Sequence, residues 1–184
     1  DFGFPVGPMR LMDEVGIGVV TKVMGIMMNA FPDRFEAPAG WENVLEGRQG
    51  KSSGRGFYKY NGRSRTPDKS VYKALPEKQD KSIKEETIAE RCAFAFLNEC
   101  AYCIQEEILR TPRDGDVGAV FGLGYPPFHG GPFFHMDTMG LSKVVETLEK
   151  LAGEHGDRVQ ILVDDFLLDL RVQRAAHTVA GGAG

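Results

Sequence analysis

Residues 4–20 read F-P-V-G-P-M-R-L-M-D-E-V-G-I-G-V-V, and residues 128–144 read F-H-G-G-P-F-F-H-M-D-T-M-G-L-S-K-V. At a constant offset of 124 residues the two stretches share a set of identical residues: Phe4, Gly7, Pro8, Met12, Asp13, Gly16 and Val20 match Phe128, Gly131, Pro132, Met136, Asp137, Gly140 and Val144. Chance rarely places glycine, proline and aspartate in one shared register. The phrase G-P-x4-D-x2-G therefore indicates an internally duplicated unit.

Each copy of the phrase predicts a short helix followed by a longer one. Proline is favoured at the first helical position because its missing N–H costs no bond there, and glycine ends the short helix. The first copy predicts a helix over 8–15 and a second one that ends near 31–32, and the second copy predicts helices over 132–139 and 141–151. Valine, methionine and leucine at three- and four-residue spacing give the longer helices an apolar face.

The rest of the chain is helical or polar in pattern. Residues 84–109 predict the longest helix, which has a broad apolar face. Shorter helices are predicted over 41–46, 116–121 and 161–170, and only residues 56–60 alternate as a strand does. The expected fold class is all-α.

We expect two related helical units, the first truncated at its N-terminus. A long helix and a loop, residues 84–127, precede the second phrase, whereas only residues 1–3 precede the first. The expected segments are a truncated first helical unit over 1–61, a polar linker over 62–83, a second helical unit over 84–170 and a disordered tail over 171–184.

Composition limits the partners. The 184 residues carry a net charge of −4 and are 42% apolar, which suits a globular protein and gives no global case for a nucleic-acid or membrane-surface partner. No apolar run approaches the ~20 residues that a transmembrane helix needs, and the start of the chain does not predict a signal peptide. All three cysteines lie in the longest predicted helix, which favours a reducing compartment over a disulfide framework.

The repeated aspartates, Asp13 and Asp137, are predicted to be architectural. A carboxylate near the end of a short helix is poorly placed for the helix dipole, so each is expected to cap the next helix across Gly16 or Gly140. The same architectural role is expected of the other repeated positions, Gly7, Pro8, Gly131 and Pro132. A role as general bases is the alternative, but duplication at equivalent positions argues for architecture.

Residues 48–73 form the strongest local charge feature, called the basic segment below. It holds eight basic residues against one acid, Asp68; the basic residues are Arg48, Lys51, Arg55, Lys59, Arg63, Arg65, Lys69 and Lys73. This excess suits a phosphorylated ligand, an acidic partner or RNA, and it equally suits a solvated surface loop. The run Gly50-Lys51-Ser52 is not a P-loop, because Leu45 occupies the position of its first glycine.

The cysteines and histidines do not form a metal-binding pattern. Cys100 and Cys103 have the C-x2-C spacing, but no second pair accompanies them, so they are expected to be small core residues. His129 and His135 lie in the second phrase, and the first phrase has other residues at the matching positions. Both histidines are therefore expected to be surface or packing residues.

Several runs resemble the C-terminal helical domain of 3-hydroxyacyl-CoA dehydrogenases. The run G-F-P-V-G-P over 3–8 leads to D-E-V-G over 13–16, and G-K-S-S-G-R-G-F-Y-K-Y over 50–60 is similar to the end of that domain's first unit. Residues 114–133, with Glu90-Arg91 and Asn98-Glu99, resemble its second unit. Two such units are typical of the multifunctional form of the family, as in the fatty-acid oxidation complex α subunit and the mitochondrial trifunctional enzyme.

The resemblance, which covers residues 3 to about 158, implies oxidation of 3-hydroxyacyl-CoA to 3-ketoacyl-CoA with NAD. In the family a Rossmann domain holds NAD and the catalytic His and Glu, and a further active-site Asn lies in the first long helix. This chain is therefore expected to hold no catalytic residue, to bind no cofactor or metal, and to be inactive alone. It would supply the wall of the acyl-CoA cleft and packing surfaces.

The resemblance also implies partners and a compartment. These are the acyl-CoA substrate of the parent enzyme, the NAD-binding and enoyl-CoA hydratase domains, a thiolase β subunit and further copies of this chain. The compartment would be the bacterial cytoplasm or the mitochondrial matrix. The candidates for contacts with the ligand or an adjacent domain are Lys51, Arg55, Phe57 and Tyr58. Two other functions stay open: a stand-alone helical interaction or oligomerisation module that binds an acidic partner, and an RNA-binding module.

Overall fold

The computed structural model describes residues 2–74 and 82–155, and these residues are all-α in class with a short β-hairpin. The helices are α1 (Pro8–Val15), α2 (Ile17–Ala30), α3 (Trp41–Leu45), α4 (Glu85–Gln105), α5 (Pro112–Leu123), α6 (Pro132–Met139) and α7 (Leu141–His155). Short 3-10 helices cover Lys51–Ser53, Lys69–Lys73 and Pro127–His129. Strands β1 (Tyr58–Asn61) and β2 (Ser64–Pro67) pair antiparallel, with Tyr58 opposite Pro67.

The two copies of the repeated phrase fold in the same way locally. Proline opens both α1 and α6. Gly16 and Gly140 end these helices with φ angles of 102° and 89°, a region that glycine enters at little cost and other residues do not. Their N–H groups donate to the carbonyls of Met12 and Met136 at 2.9 and 3.0 Å. The predicted helix pairs are confirmed, because proline and glycine act through local backbone geometry.

The chain divides into two compact units. The first, Val6–Ser82, is called the hairpin unit. Its core consists of the buried residues Ile17, Trp41, Val44 and Val71, with Met12, Val20, Met24, Phe57 and Ala74 packed around them. The indole Nε1–H of Trp41 donates to Thr21 Oγ1 at 2.9 Å, which fixes α3 against α2.

The second unit, Asp1–Pro5 with Ile83–Gly184, is called the long-helix unit. Its helix α4 packs on α6 and α7. The buried core residues are Phe94, Leu97, Ala101, Ala119, Tyr125, Phe133, Met136, Leu141, Val144, Leu148 and Leu151. Phe2 and Phe4 add to this core, with the Phe4 ring centroid 5.7 Å from that of Tyr125. Residues 2–5 thus cluster with this unit, whereas the sequence groups them with residues 6–61.

The structure differs from the sequence analysis in the segments around the repeats. Residues 62–83 are expected to be a polar linker, but residues 62–74 hold β2 and a 3-10 helix, and Asp68 and Val71 are buried there. Helix α5 begins earlier than expected because Thr111 Oγ1 accepts a hydrogen bond from the N–H of Asp114 at 3.1 Å and caps it. The helix expected over 161–170 and the tail over 171–184 lie outside the described residues.

Candidate functional site

Asp13 fixes the loop that carries the candidate residues. It lies in α1, is 1% exposed, and accepts three hydrogen bonds. Oδ1 accepts from the N–H of Phe57 at 2.8 Å, and Oδ2 accepts from the N–H of Tyr58 and the hydroxyl of Tyr60, both at 2.9 Å. Burial, and then the bond to Asp13, raises the pKa of the Tyr60 phenol to about 12, so this hydroxyl remains a donor at neutral pH.

The expected capping role is wrong for Asp13. Gly16 is the N-cap of α2 and no side chain bonds to that cap, while the Asp13 carboxylate is used by a loop more than forty residues away in sequence. Asp137, its counterpart in the second copy, is exposed. The same residue at equivalent positions therefore has two different environments, and only Asp13 is the centre of a buried hydrogen-bond network.

Two glycines allow the loop to approach Asp13. A Cβ at Gly56 would collide with the Asp13 carboxylate, and a Cβ at Gly50 would collide with the Asp13 carbonyl oxygen. Gly50 also has a φ of 101°, which disfavours other residues. Gly50 and Gly56 of the G-K-S-S-G-R-G run thus allow this loop to pack closely on α1.

A second buried carboxylate, Asp68, organises the basic segment. Its Oδ2 lies 2.9 Å from Arg55 Nε, and its Oδ1 accepts from the hydroxyl and the N–H of Ser70 at 2.7 and 3.1 Å. Lys59 Nζ lies 3.7 Å from Oδ1. Burial by itself raises the pKa of the Asp68 carboxyl, but the hydrogen bonds from Ser70 and Arg55 outweigh it and hold that pKa well below its usual range.

Arg48 is the buried cation of this cluster, only 7% exposed. Its Nη2 donates to Ser70 Oγ at 2.6 Å and lies 3.9 Å from Asp68 Oδ2. Arg48, Arg55 and Lys59 all surround this one carboxylate, so three of the eight cations of the basic segment share one negative charge and the segment keeps a net positive charge. The sequence analysis missed this cluster, although a lone acid in a basic run, two residues before a serine, is the signal that could have revealed it.

The structure places the four candidate residues on one loop with different surroundings. Lys51 is the most accessible: its side chain is 54% exposed and its Nζ lies 3.6 Å from Glu14 Oε1. Arg55 is bonded to Asp68 but its side chain remains 44% exposed. Phe57 packs against Trp41, with ring centroids 6.1 Å apart, and Tyr58 is half-buried.

The long-helix unit holds a separate aromatic cluster around Tyr125, a residue that the sequence analysis did not single out. Tyr125 Oη lies 2.7 Å from His135 Nδ1, and the His135 ring stacks on that of His129 with centroids 3.9 Å apart. Burial, and to a smaller extent His129, lowers the pKa of the His135 imidazole, while burial raises the pKa of the Tyr125 phenol. Both histidines are packing residues of this cluster, as expected.

Asp116 has in the long-helix unit a role similar to that of Asp13. Its Oδ1 accepts from the N–H groups of Phe133 and Phe134 at 2.7 and 3.2 Å, which ties α5 to the first turn of α6. A Cβ at Gly131 would collide with Asp116, so a glycine is again needed beside a buried carboxylate. Asn98 on α4 is buried as well.

The described residues hold no cluster of three or more His, Cys, Asp or Glu side chains that could bind a metal. Cys100 and Cys103 are half-buried, and burial raises the pKa of the Cys100 thiol to about 12, which keeps it protonated. Within 2–74 and 82–155 the helices are too short or too polar to cross a membrane.

Comparison with known proteins relates the chain to one enzyme family. Residues 1–60 match the family model of the 3-hydroxyacyl-CoA dehydrogenase C-terminal domain. The chain is 46% identical over 159 residues, 86% of its length, to the fatty acid oxidation complex subunit alpha of Vibrio campbellii. It is 49% identical over 160 residues, 85% of its length, to that of Idiomarina loihiensis. The chain spans 23% of the length of each of these relatives.

Proposed function

We propose that this chain forms the helical wall of an acyl-CoA cleft. The proposal rests on the match of residues 1–60 to the 3-hydroxyacyl-CoA dehydrogenase C-terminal domain and on the similarity of the chain to the α subunits of bacterial fatty acid oxidation complexes. The parent enzyme would oxidise 3-hydroxyacyl-CoA to 3-ketoacyl-CoA, with NAD accepting the hydride. The 184 residues contain no G-x-G-x-x-G run, the glycine pattern typical of a Rossmann NAD site. NAD and the catalytic base would belong to other domains of the parent, and this chain alone would be inactive.

The observation that carries this proposal is the loop of residues 50–60, held rigidly by Asp13. Two hydrogen bonds to one buried carboxylate fix the backbone at Phe57 and Tyr58, and a third holds the hydroxyl of Tyr60. Lys51 lies on the same loop with an exposed ammonium group, while Phe57 is part of the packing. A rigid loop can present Lys51 to an anionic group of the ligand or to an adjacent domain at little entropic cost.

Kinetics of the full-length parent enzyme test the role of Lys51. We expect Lys51→Met to raise KM for a 3-hydroxyacyl-CoA about fivefold or more with kcat unchanged, because a contact made equally in ground and transition states affects KM alone. Lys69→Met, which removes another exposed lysine, should leave both constants within about twofold. The 184-residue chain by itself should form no NADH from 3-hydroxybutyryl-CoA and NAD. An unchanged KM in Lys51→Met, or NADH formation by the chain alone, would contradict the proposal.

A second function is supported by the apolar surface of α2. Val19, Val23 and Ile26 are each about half exposed or more, at 50%, 49% and 65%. Such a stripe suits a contact with another protein surface. An interaction or oligomerisation module is therefore the alternative, and a hydratase domain, a thiolase β subunit or a further copy of the chain are the partners that we propose for it.

A further inference from the structure

The hairpin unit contains a polar cavity that the proposed function does not use. It has a volume of about 370 Å³ and is lined by Asn43, Glu46, Arg48, Ser70, Lys73 and Ala74. Its walls come from α3, the turn that follows it, and the 3-10 helix Lys69–Lys73. The volume is within the range typical of small-molecule sites, and most of the lining residues carry side chains that form hydrogen bonds.

Arg48 has spare hydrogen-bonding capacity at this cavity. A guanidinium carries five N–H donors. Its Nη2 donates to Ser70 Oγ at 2.6 Å, its Nη1 makes only a long bond of 3.4 Å to the Glu46 carbonyl oxygen, and its Nε is buried with no hydrogen-bond partner. The Asp68 carboxylate does not supply the hydrogen bonds that the Arg48 guanidinium lacks. It bonds to Arg55 and Ser70 and lies 3.9 Å from Arg48.

The charges around the cavity favour an anion. Arg48 and Lys73 line it, and Glu46 is the acid among the lining residues. Arg55 adds a cation behind the wall, since its Nη2 donates to Ser70 Oγ at 3.0 Å. The Asp68 carboxylate is already compensated by Arg55 and by Lys59, whose Nζ lies 3.7 Å away.

We propose that this cavity binds the phosphate group of a phosphomonoester through Arg48 and Lys73, with the side-chain amide of Asn43 on the same cavity wall. A phosphomonoester carries three acceptor oxygens and a charge near −2, so it suits two cations and a neighbouring amide group better than a carboxylate ligand does. The cavity is larger than an inorganic phosphate needs, so it leaves room for an organic group attached to the phosphate. None of the residues that line this cavity belongs to the loop of residues 50–60 that carries the proposed function.

Titration of the 184-residue chain tests the site, with inorganic phosphate, adenosine 5′-monophosphate and acetate as probes. The readouts are the 1H–15N signal of the Arg48 Nε–H and a calorimetric binding isotherm. We expect both phosphates to shift the Arg48 signal, acetate to bind at least about tenfold more weakly, and the nucleotide to bind more tightly if the organic group is held. Equal affinities for the two phosphates would assign the site to the phosphate group alone, still in agreement with the proposal.

Two lysines on one 3-10 helix supply matched variants that should both fold. Lys73→Gln removes a cation from the cavity wall and should weaken phosphate binding about tenfold, whereas Lys69→Gln, exposed and outside the lining, should change it less than about twofold. Equal loss in the two variants would mean diffuse charge attraction and would overturn the site. So would the absence of any shift at Arg48 with either phosphate. Neither result depends on dehydrogenase activity, so failure here leaves the proposed function intact.

Discussion

At the scale of single residues, two buried carboxylates organise the hairpin unit. Asp13 and Asp68 are 1% and 3% exposed. A buried carboxylate is costly unless donors surround it, and here backbone N–H groups, hydroxyls and cations do so. Each carboxylate therefore joins segments that are distant in sequence, α1 with β1 in one case and the 48–55 loop with residues 68–70 in the other.

The contribution of Asp13 to stability can be tested by comparison with Asp137, the matching residue of the second phrase. Replacing Asp13 with Asn keeps the shape but turns one acceptor into a donor that faces N–H and O–H donors, so we expect a loss of about 3 kcal/mol in the free energy of unfolding. The exposed counterpart Asp137→Asn should lose less than about 1 kcal/mol. Urea unfolding of the two variants at pH 7 measures the difference. Similar losses would show that the buried network does not stabilise the fold.

Asp68 should give the unfolding free energy a specific pH dependence. Its pKa in the folded chain is below the ordinary value of 3.8, so its stabilisation is complete above that value and is lost as the pH falls towards the folded-state pKa. We therefore expect Asp68→Asn to be less stable than the wild type at pH 7, with a gap that narrows below about pH 4. Denaturant unfolding across pH 3–7 measures the gap, and the exposed Asp33→Asn serves as the control. A gap that stays constant with pH would contradict this role.

At the scale of elements, the repeat encodes helix boundaries well and tertiary partners poorly. Proline at the start and glycine at the end set α1 and α6 in the same way. The helices that follow also begin alike, because Ile17 of α2 and Leu141 of α7 are both buried. Further along, α2 and α7 diverge, because different segments pack on them: α3 on α2, and α4 on α7.

Two glycine substitutions test tertiary packing and local helix propensity separately. Gly56→Ala places a methyl group against the Asp13 carboxylate and should cost more than about 2 kcal/mol of unfolding free energy. Gly25→Ala, inside α2 with no atom within 4 Å of the new Cβ, should gain about 0.5–1 kcal/mol from helix propensity. Thermal unfolding of both variants checks the signs. A neutral Gly56→Ala would mean that the loop does not pack closely on α1.

At the scale of the whole molecule, the outer face of α2 is the feature to explain. Its exposed Val19, Val23 and Ile26 correspond, at the repeat offset of 124 residues, to Lys143, Thr147 and Lys150 of α7. At these three positions α2 thus carries apolar residues on its outer face, whereas α7 carries polar ones. This contrast favours an interface on α2 that α7 does not have.

The second copy supplies the variant that tests this interface. Val19→Lys, Val23→Thr and Ile26→Lys together give α2 the outer face of α7, and we expect the self-association constant of the chain to fall at least about tenfold. A control with the same added charge, Ser52→Lys with Ser64→Lys at exposed positions, should leave association within about threefold. Sedimentation equilibrium measures both. A wild-type chain that is monomeric at all concentrations would contradict self-association through α2.

The sequence by itself determined the helical class, the helix pairs of the two repeats and the resemblance to 3-hydroxyacyl-CoA dehydrogenases, because proline, glycine and apolar spacing act within a few residues. Only the tertiary structure decided which repeated aspartate is buried and how the basic segment uses its charge. Asp13 depends on a loop that folds back onto α1 from residues 57–60, and Arg48 and Arg55 depend on residues 68–70. Such contacts join residues far apart in sequence, and no local pattern specifies them.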